Sequence, residues 1–464
     1  MIRRRLRSRA ADARRGLTLV EMLVATAATL IVVGVIAAVI TEFTRGVGNS
    51  RRLMELGARL RTAATILRRD LAGATASPVP PLSPAAGVGY LEIIEGPRQD
   101  HAAADGTDEL RADTDDVLLL TTADPQRPFS GVYEDGILQS STAEVAWFLR
   151  HSVPATVPPT CTLYRRQLLV VGRVGTAELE RVNRHALSGG LAAVYDHADV
   201  SVARDLADPD AGFVTNTLAD LTRRERRFLH APLDPAVAAG FPFPFLADHQ
   251  VASLSPTTDS LPAAARGLVF DADSPRRGED VVLTGVIAFD IRVFDPAAPI
   301  DVRGTATTPI AVTPGDPLAL DAGIANGAYV DLGNGMHARA ASLPEGQLPR
   351  FSGYGNPLSG ELVGTATTRR TYDTWSTHYE ANGVDEDGVA GADQGANGLD
   401  DAIPARSQGV AMHPADGVVD DRGEMETSAP YPFPLRGIEI RIRCYEPDAR
   451  QVRQVTVRHA FVSP

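Results

Sequence analysis

The sequence predicts an α+β fold, in which one long N-terminal helix precedes a β-rich antiparallel head with long loops. Three observations carry this expectation. Leu17 to Ile40 is a run of 24 residues with Glu21 as its only formal charge. An amphipathic pattern extends it to about Thr75. Beyond that, short apolar runs separated by turn residues replace the helical period. Gly (41), Pro (33) and an aromatic content of only 6% fit a loop-rich β protein.

The apolar helix comes first. Residues 1–16 hold seven Arg and one Asp, a net charge of +6, and so basic a segment stays on the cytoplasmic side of a membrane. At ~1.5 Å per residue, the run from Leu17 to Ile40 spans roughly 36 Å, enough to cross a hydrocarbon core of about 30 Å. A secretory signal peptide is one alternative, but its apolar region is usually about 7–15 residues. No Ala-x-Ala site clearly closes this run, which continues as Thr41-Glu42-Phe43-Thr44-Arg45. A plain one-pass anchor is the other alternative. Glu21 argues against it, because a carboxylate inside an apolar helix is costly unless paired.

The order Arg14-Arg15-Gly16-Leu17-Thr18-Leu19-Val20-Glu21 resembles the cleavage and methylation site of type IV prepilins and type II secretion pseudopilins. The resemblance implies that a prepilin peptidase cuts between Gly16 and Leu17 and methylates the new N-terminus. It also implies that Glu21, then the fifth residue, pairs with the free amine of Leu17 on a neighbouring pilin or pseudopilin subunit. Such a pair neutralises both charges and sets the register between helices.

After Ile40, Leu53, Leu56, Leu60, Ala64, Leu67 and Leu71 recur every three or four residues and make one apolar face. Arg51, Arg52, Arg59, Arg61, Arg68 and Arg69 occupy the other faces. Gly46 and Gly48 mark a place for the helix to bend or fray. Pro78, Pro80 and Pro81 end it.

From about 88 to 300, candidate strands are Tyr90–Ile94, Asp116–Thr122, Ala143–Arg150, Thr162–Val171 and Val281–Val293. Leu218 to His230 reads as helical, with its four Arg (223, 224, 226 and 227) on a solvated face rather than against an acidic partner. Phe241-Pro242-Phe243-Pro244-Phe245 is extended and reads as loop packing. Residues 301–372 read as a loop-rich insertion with no definite element. Leu435–Tyr445 and Val452–Phe461 alternate as two strands of a hairpin around Glu446–Arg450. Ile287–Pro296 is similar to Ile438–Pro447, which predicts equivalent strands of one sheet. The expected segments are therefore 1–16 leader, 17–75 helix (17–40 in the membrane), 76–300 head, 301–372 insertion and 373–464 acidic loops plus hairpin.

The acidic loops lie in 379–427. Carboxylates at alternate loop positions, with Gly for the turn, match the oxygen-rich shell of Ca²⁺. Asp385, Asp387, Asp393, Asn397, Asp400, Asp401, Asp416 and Asp420 are the candidate ligands. The segment resembles EF-hand-like and thrombospondin type 3 loops, but Val389 and Ala390 stand where that pattern needs Asp and Gly. Ca²⁺ binding and a solvated acidic loop both remain open. The only two Cys, Cys161 and Cys444, fall in apparent strands, and either a disulfide or two buried thiols is consistent with that placement.

The formal net charge is −13, and removing the +6 leader leaves −19. So acidic a chain is not expected to bind nucleic acid. Every basic residue is Arg. No G-x-S-x-G, H-E-x-x-H or P-loop occurs. Ser376 and His378 lie in one short run and read as packing residues, so no catalytic activity is expected. The tract from Tyr372 to Ile438 also resembles that of large prepilin-type proteins. Together these readings predict a minor pilin or pseudopilin of the bacterial inner membrane, single-pass with an extracytoplasmic head. It would be assembled through its helix into a type IV pilus or type II secretion pseudopilus. The size of the head favours a place at or near the tip. The alternative is an unassembled, membrane-anchored binding protein with a calcium-stabilised β-rich head.

Overall fold

The computed structural model describes residues 18–78, 87–95, 114, 116–133, 136–151, 160–172, 194–195, 197–204, 213–222, 226–228, 276, 278–305, 308–312, 325–333, 370–374 and 434–461. The chain forms two compact units, Met1–Leu56 and Gly57–Pro464.

Helix α1 runs from Leu19 to Ala72 without a break. Gly46 and Gly48 are helical, so the predicted weak point stays closed. Through the apolar run the hydroxyls of Thr26, Thr29, Thr41 and Thr44 donate to carbonyls one turn back, at 2.8–2.9 Å. That satisfies them inside the helix and leaves an apolar surface.

In the second unit, Leu60, Ala63, Ala64, Leu67 and Leu71 of α1 are all buried. Their three- and four-residue spacing places them on one stripe, as the sequence predicts. The helix stops at Gly73, whose N–H donates to Arg69 O at 3.0 Å. A Cβ on Gly73 would lie 2.6 Å from Ala123 O, so only glycine lets the chain pass this close to the sheet.

The strands are β1 (Leu91–Glu95), β2 (Val117–Ala123), β3 (Phe129–Tyr133), β4 (Gly136–Ser140), β5 (Thr142–His151), β6 (Cys161–Leu169), β7 (Val202–Arg204), β8 (Phe213–Thr215), β9 (Val281–Thr305), β10 (Thr308–Val312), β11 (Ala325–Val330), β12 (Arg370–Asp373), β13 (Gly437–Glu446) and β14 (Gln451–Ala460). Ten of them form one antiparallel sheet in the order β12-β1-β2-β5-β6-β9-β13-β14, with β10 and β11 also on β9. The pairs β3–β4 and β7–β8 make two small hairpin-like sheets.

Strand β2 reads Val-Leu-Leu-Leu rather than alternating because both of its faces are covered. One face carries Leu118 and Leu120, opposite Trp147 and Val145 of β5. Trp147 bonds Asp70 of α1, so this is the helix side. The other face carries Val117 and Leu119. It packs with Ala146, Phe148 and Leu168 beneath Tyr195, Val200, Val202, Phe213, Leu221 and Phe228.

β9 organises the C-terminal half of the sheet. It pairs in turn with β6, β13, β11 and β10. Gly285 has φ +72° where the register with β13 shifts between Arg443 and Cys444, the signature of a bulge. The strand runs 12 residues past Val293, through Pro296 and Pro299. Beyond Val293 it has a partner on one side only among the described residues, where proline's missing N–H is tolerated. The similar stretches Ile287–Pro296 and Ile438–Pro447 are neighbours, with Ile438 opposite Val293 and Ile442 opposite Phe289. Within 301–372, read as loop-rich, β10, β11 and part of β12 form. Among the described residues of 218–230, where a helix is expected, a 3-10 turn forms at Asp220–Thr222.

Candidate functional site: the helix terminus and the buried charge clusters

Gly16 and Leu17 lie outside the described residues. Glu21 stands in the first turn of α1 and closes a capping box with Thr18. The Thr18 N–H and hydroxyl donate to Glu21 Oε2 at 2.9 and 3.0 Å, and Glu21 N–H donates back to Thr18 Oγ1 at 3.2 Å. Both residues thus satisfy donors that a helix start leaves open. The Thr-x-x-Glu spacing was visible in the sequence, but the carboxylate was read only as a contact for another subunit.

Fifteen large apolar side chains between Leu19 and Val47 are more than half exposed, Leu19 at 80% and Phe43 at 73% among them. Burying each is worth about 1.5–3 kcal/mol, so covering this surface would release roughly 20–45 kcal/mol. α1 is long and apolar enough to cross a membrane.

Among the described residues of the head, a buried polar cluster sits beneath a cover formed by residues 213–222 and 226–228. Glu92 of β1 and Asp373 of β12 are directly opposite across the strands. Two like charges so placed repel each other. Arg227 resolves the repulsion. Its Nη1 donates to Glu92 Oε2 and to Asp373 Oδ2 at 2.8 Å each, and its Nη2 donates to Asp373 Oδ1 at 3.2 Å. Nε and Nη2 also donate to Leu221 O and Thr222 O at 3.0 Å. The guanidinium lies 4.0 Å from the Tyr90 ring centroid. All three charged side chains are 0% exposed. Burial works against the Arg227 charge, but Asp373 and Glu92 outweigh it and raise its pKa. The expectation of a solvated Arg face is therefore corrected at Arg227. Sequence periodicity held no sign of it, because its partners lie 135 and 146 residues away.

A second network adjoins it. Glu144 accepts from Tyr90 Oη (2.8 Å), Ser201 Oγ (2.6 Å) and Phe228 N–H (2.8 Å). Asn216 Nδ2 donates to Ser201 Oγ at 2.9 Å. Burial raises the Glu144 pKa against these bonds. Glu144 and Ser201 are at most 1% exposed. This Ser–Glu contact is a tie between strand and cover rather than a surface nucleophile.

On the helix side, Asp70 accepts from Trp147 Nε1 at 2.9 Å and takes a two-pronged bond from Arg165 at 2.7 Å to each oxygen. That pins the last turn of α1 to β5 and β6. A third cluster surrounds β9. Asp290 and Asp331 both contact Arg292 at 3.2 Å, and Asp116 accepts from Ile291 N–H at 2.6 Å. Burial first, then the Asp331 and Asp116 charges, push the Asp290 pKa well above the usual carboxylate value.

Cys161 and Cys444 are both buried and are not joined. Each lies opposite Val286, from the two strands flanking β9. Two strand spacings separate them, roughly 9.6 Å, beyond the about 4.4–6.8 Å that a disulfide spans. Burial pushes the Cys444 thiol up to about 12. The candidate calcium ligands Asp385, Asp387, Asp393, Asn397, Asp400, Asp401, Asp416 and Asp420 lie outside the described residues. Among the described residues, no group of three or more His, Cys, Asp and Glu is placed to hold a metal ion.

Comparison with protein-family models, with curated proteins and with solved structures finds no match to this chain.

Proposed function

We propose that the chain is a minor pilin or pseudopilin, processed by prepilin peptidase between Gly16 and Leu17 and inserted in the inner membrane by α1. Its helix then packs with those of other subunits at or near the tip of a type IV pilus or type II pseudopilus. The observation that carries this reading is the division of labour along one unbroken helix. From Leu19 to Ile40 it is an exposed apolar surface with a single acid, Glu21, soon after the Arg-Arg-Gly-Leu sequence. Its last turns, from Leu60 to Leu71, bury one apolar stripe in the head unit. The buried ion networks of the head serve to keep the cover segment on the sheet.

Mass spectrometry of the N-terminus tests the reading. A mature chain beginning with N-methylated Leu17 is expected. Intact Met1 in membrane fractions would overturn it and leave an unassembled anchored binding protein. Glu21→Ala should leave cleavage intact but lower incorporation into assembled fibres, because both the interchain pair and the capping box are lost.

A further inference from the structure

The β7–β8 pair ends on a hydroxyl and a carboxamide that face each other. Val202 is opposite Thr215. One position further, Asn216 N–H donates to Ser201 O at 2.9 Å, so Ser201 and Asn216 are cross-strand neighbours. Their side chains meet as well. Asn216 Nδ2 donates to Ser201 Oγ at 2.9 Å and to Arg226 O at 2.8 Å, while Ser201 Oγ donates to Glu144 Oε2 at 2.6 Å. Glu144 is 1% exposed, and Ser201 and Asn216 are 0% exposed. A nucleophile, a carboxylate aimed at its proton and an amide carbon are thus buried together, the carbon one C–N bond of ~1.3 Å beyond the contacted nitrogen.

Packing alone leaves one of these groups poorly served. Among the described residues, Asn216 Oδ1 is buried with no hydrogen-bond partner. The amide is not simply turned around, because Ser201 Oγ and Arg226 O both accept from the atom placed as nitrogen. A buried amide oxygen without a donor is costly, whereas an ester carbonyl is the weaker acceptor and loses less by burial. Burial also raises the Glu144 pKa, which makes its carboxylate a stronger base toward the Ser201 hydroxyl. The span fits too. Directly opposite residues have Cβ atoms about 4.5–5.5 Å apart, and a planar ester unit joins carbons about 3.8 Å apart, as a trans peptide does. The two strands need to close by only about 1–2 Å, and a cross-strand disulfide asks for the same Cβ separation.

We infer that Ser201 and Asn216 join in an autocatalytic ester cross-link, a single-turnover reaction that staples β7 to β8. Glu144 Oε2 takes the Ser201 proton as Oγ bonds to Asn216 Cγ, once the carboxamide turns its face to Oγ. The Cγ–Nδ2 bond then breaks, the proton passes from Glu144 to the leaving nitrogen, and one ammonia is released. No oxidant or cofactor is consumed. Dispersal of ammonia into water, and exclusion of water from the buried link, hold the reaction on the product side. The link does not depend on processing at Gly16. Tryptic mass spectrometry of the full chain tests it, because cleavage after Arg204 separates the two partners. Peptides 185–204 and 205–223 should appear as one species, lighter than their sum by one ammonia, and hydroxylamine, which cleaves esters, should part them. Ser201→Ala should abolish the link, and Glu144→Gln should lower the linked fraction at least about tenfold. Two separate peptides of full sequence mass in the wild type would overturn the inference. So would ammonia lost from peptide 205–223 alone (a succinimide at Asn216), a link that resists hydroxylamine, or a linked fraction undiminished in either variant.

Discussion

Replacing Arg227 with Met tests the buried charge network most directly. The guanidinium makes five hydrogen bonds of 2.8–3.2 Å, to two carboxylates and two carbonyls. Its five N–H groups are matched in number, so nothing is left over. Met retains the apolar stem and removes every donor. Glu92 and Asp373 are then left opposite one another, both 0% exposed, without the Arg227 charge between them. Breaking one partner out of a buried ion pair costs about 3–5 kcal/mol, and the lost contact with the Tyr90 ring adds up to ~2 kcal/mol. These terms share one side chain and are not additive, so we expect about 4–5 kcal/mol in total. At about 2–4 °C per kcal/mol for a domain of some 150–250 residues, the melting midpoint falls by roughly 10–15 °C. The assay is urea and thermal unfolding of the full chain in detergent, followed by tryptophan emission, to which the buried Trp147 contributes. The triple variant Arg227→Met/Glu92→Gln/Asp373→Asn should recover most of the loss, because removing all the charges also removes their desolvation cost. Arg227→Met within about 1 kcal/mol of wild type, or a triple variant no better than the single one, would refute the reasoning.

Three further outcomes follow from the same structure. Asp70→Ala leaves Arg165 and Trp147 Nε1 without their acceptor and should cost about 3 kcal/mol in urea unfolding, with a shift in Trp147 emission; Arg61→Ala, on the exposed face of α1, should stay within about 0.5 kcal/mol. Asp290 titrates near about 3.9 in an unfolded chain but higher in the folded one, because of burial and then the Asp331 and Asp116 carboxylates. The folded state binds more protons between those two pKa values, so this contribution is fully present below about pH 4 and is lost as pH rises through the folded value. Asp290→Asn should therefore flatten the fall in stability above pH 4, and an unchanged pH profile would dismiss Asp290 as its source. Maleimide should label neither Cys161 nor Cys444 until the head is unfolded, and reductant should leave the melting midpoint unchanged; prompt native labelling or a reductant-sensitive midpoint would contradict the placement of the two thiols.

Much of the secondary structure was legible because its signals are local. Period and length marked the helix, although Gly46 and Gly48 did not interrupt it, since neighbouring turns on both sides hold the hydrogen-bond ladder. Alternation marked β13 and β14, and continuous apolar runs marked β2 and β5. Local rules failed where a partner decides. The sequence reading ended β9 at Val293, but the strand continues to Thr305, through Pro296 and Pro299, where only one side needs N–H donors. Four Arg in a row of polar residues suggested a solvated face, yet Arg227 is drawn inside by Glu92 and Asp373.

The sequence by itself determined the long helix, its apolar first half, the lone Glu21 and most strand positions, because each depends on residues within a turn or two of one another. It also carried the only hint of processing at Gly16. Tertiary structure decided the order of the strands, the pairing of the two similar stretches as neighbours, and the separation of Cys161 from Cys444 by one strand. It also decided which charges are buried. Those outcomes depend on contacts between residues far apart in the chain, where burial makes a well-placed partner necessary for every charge.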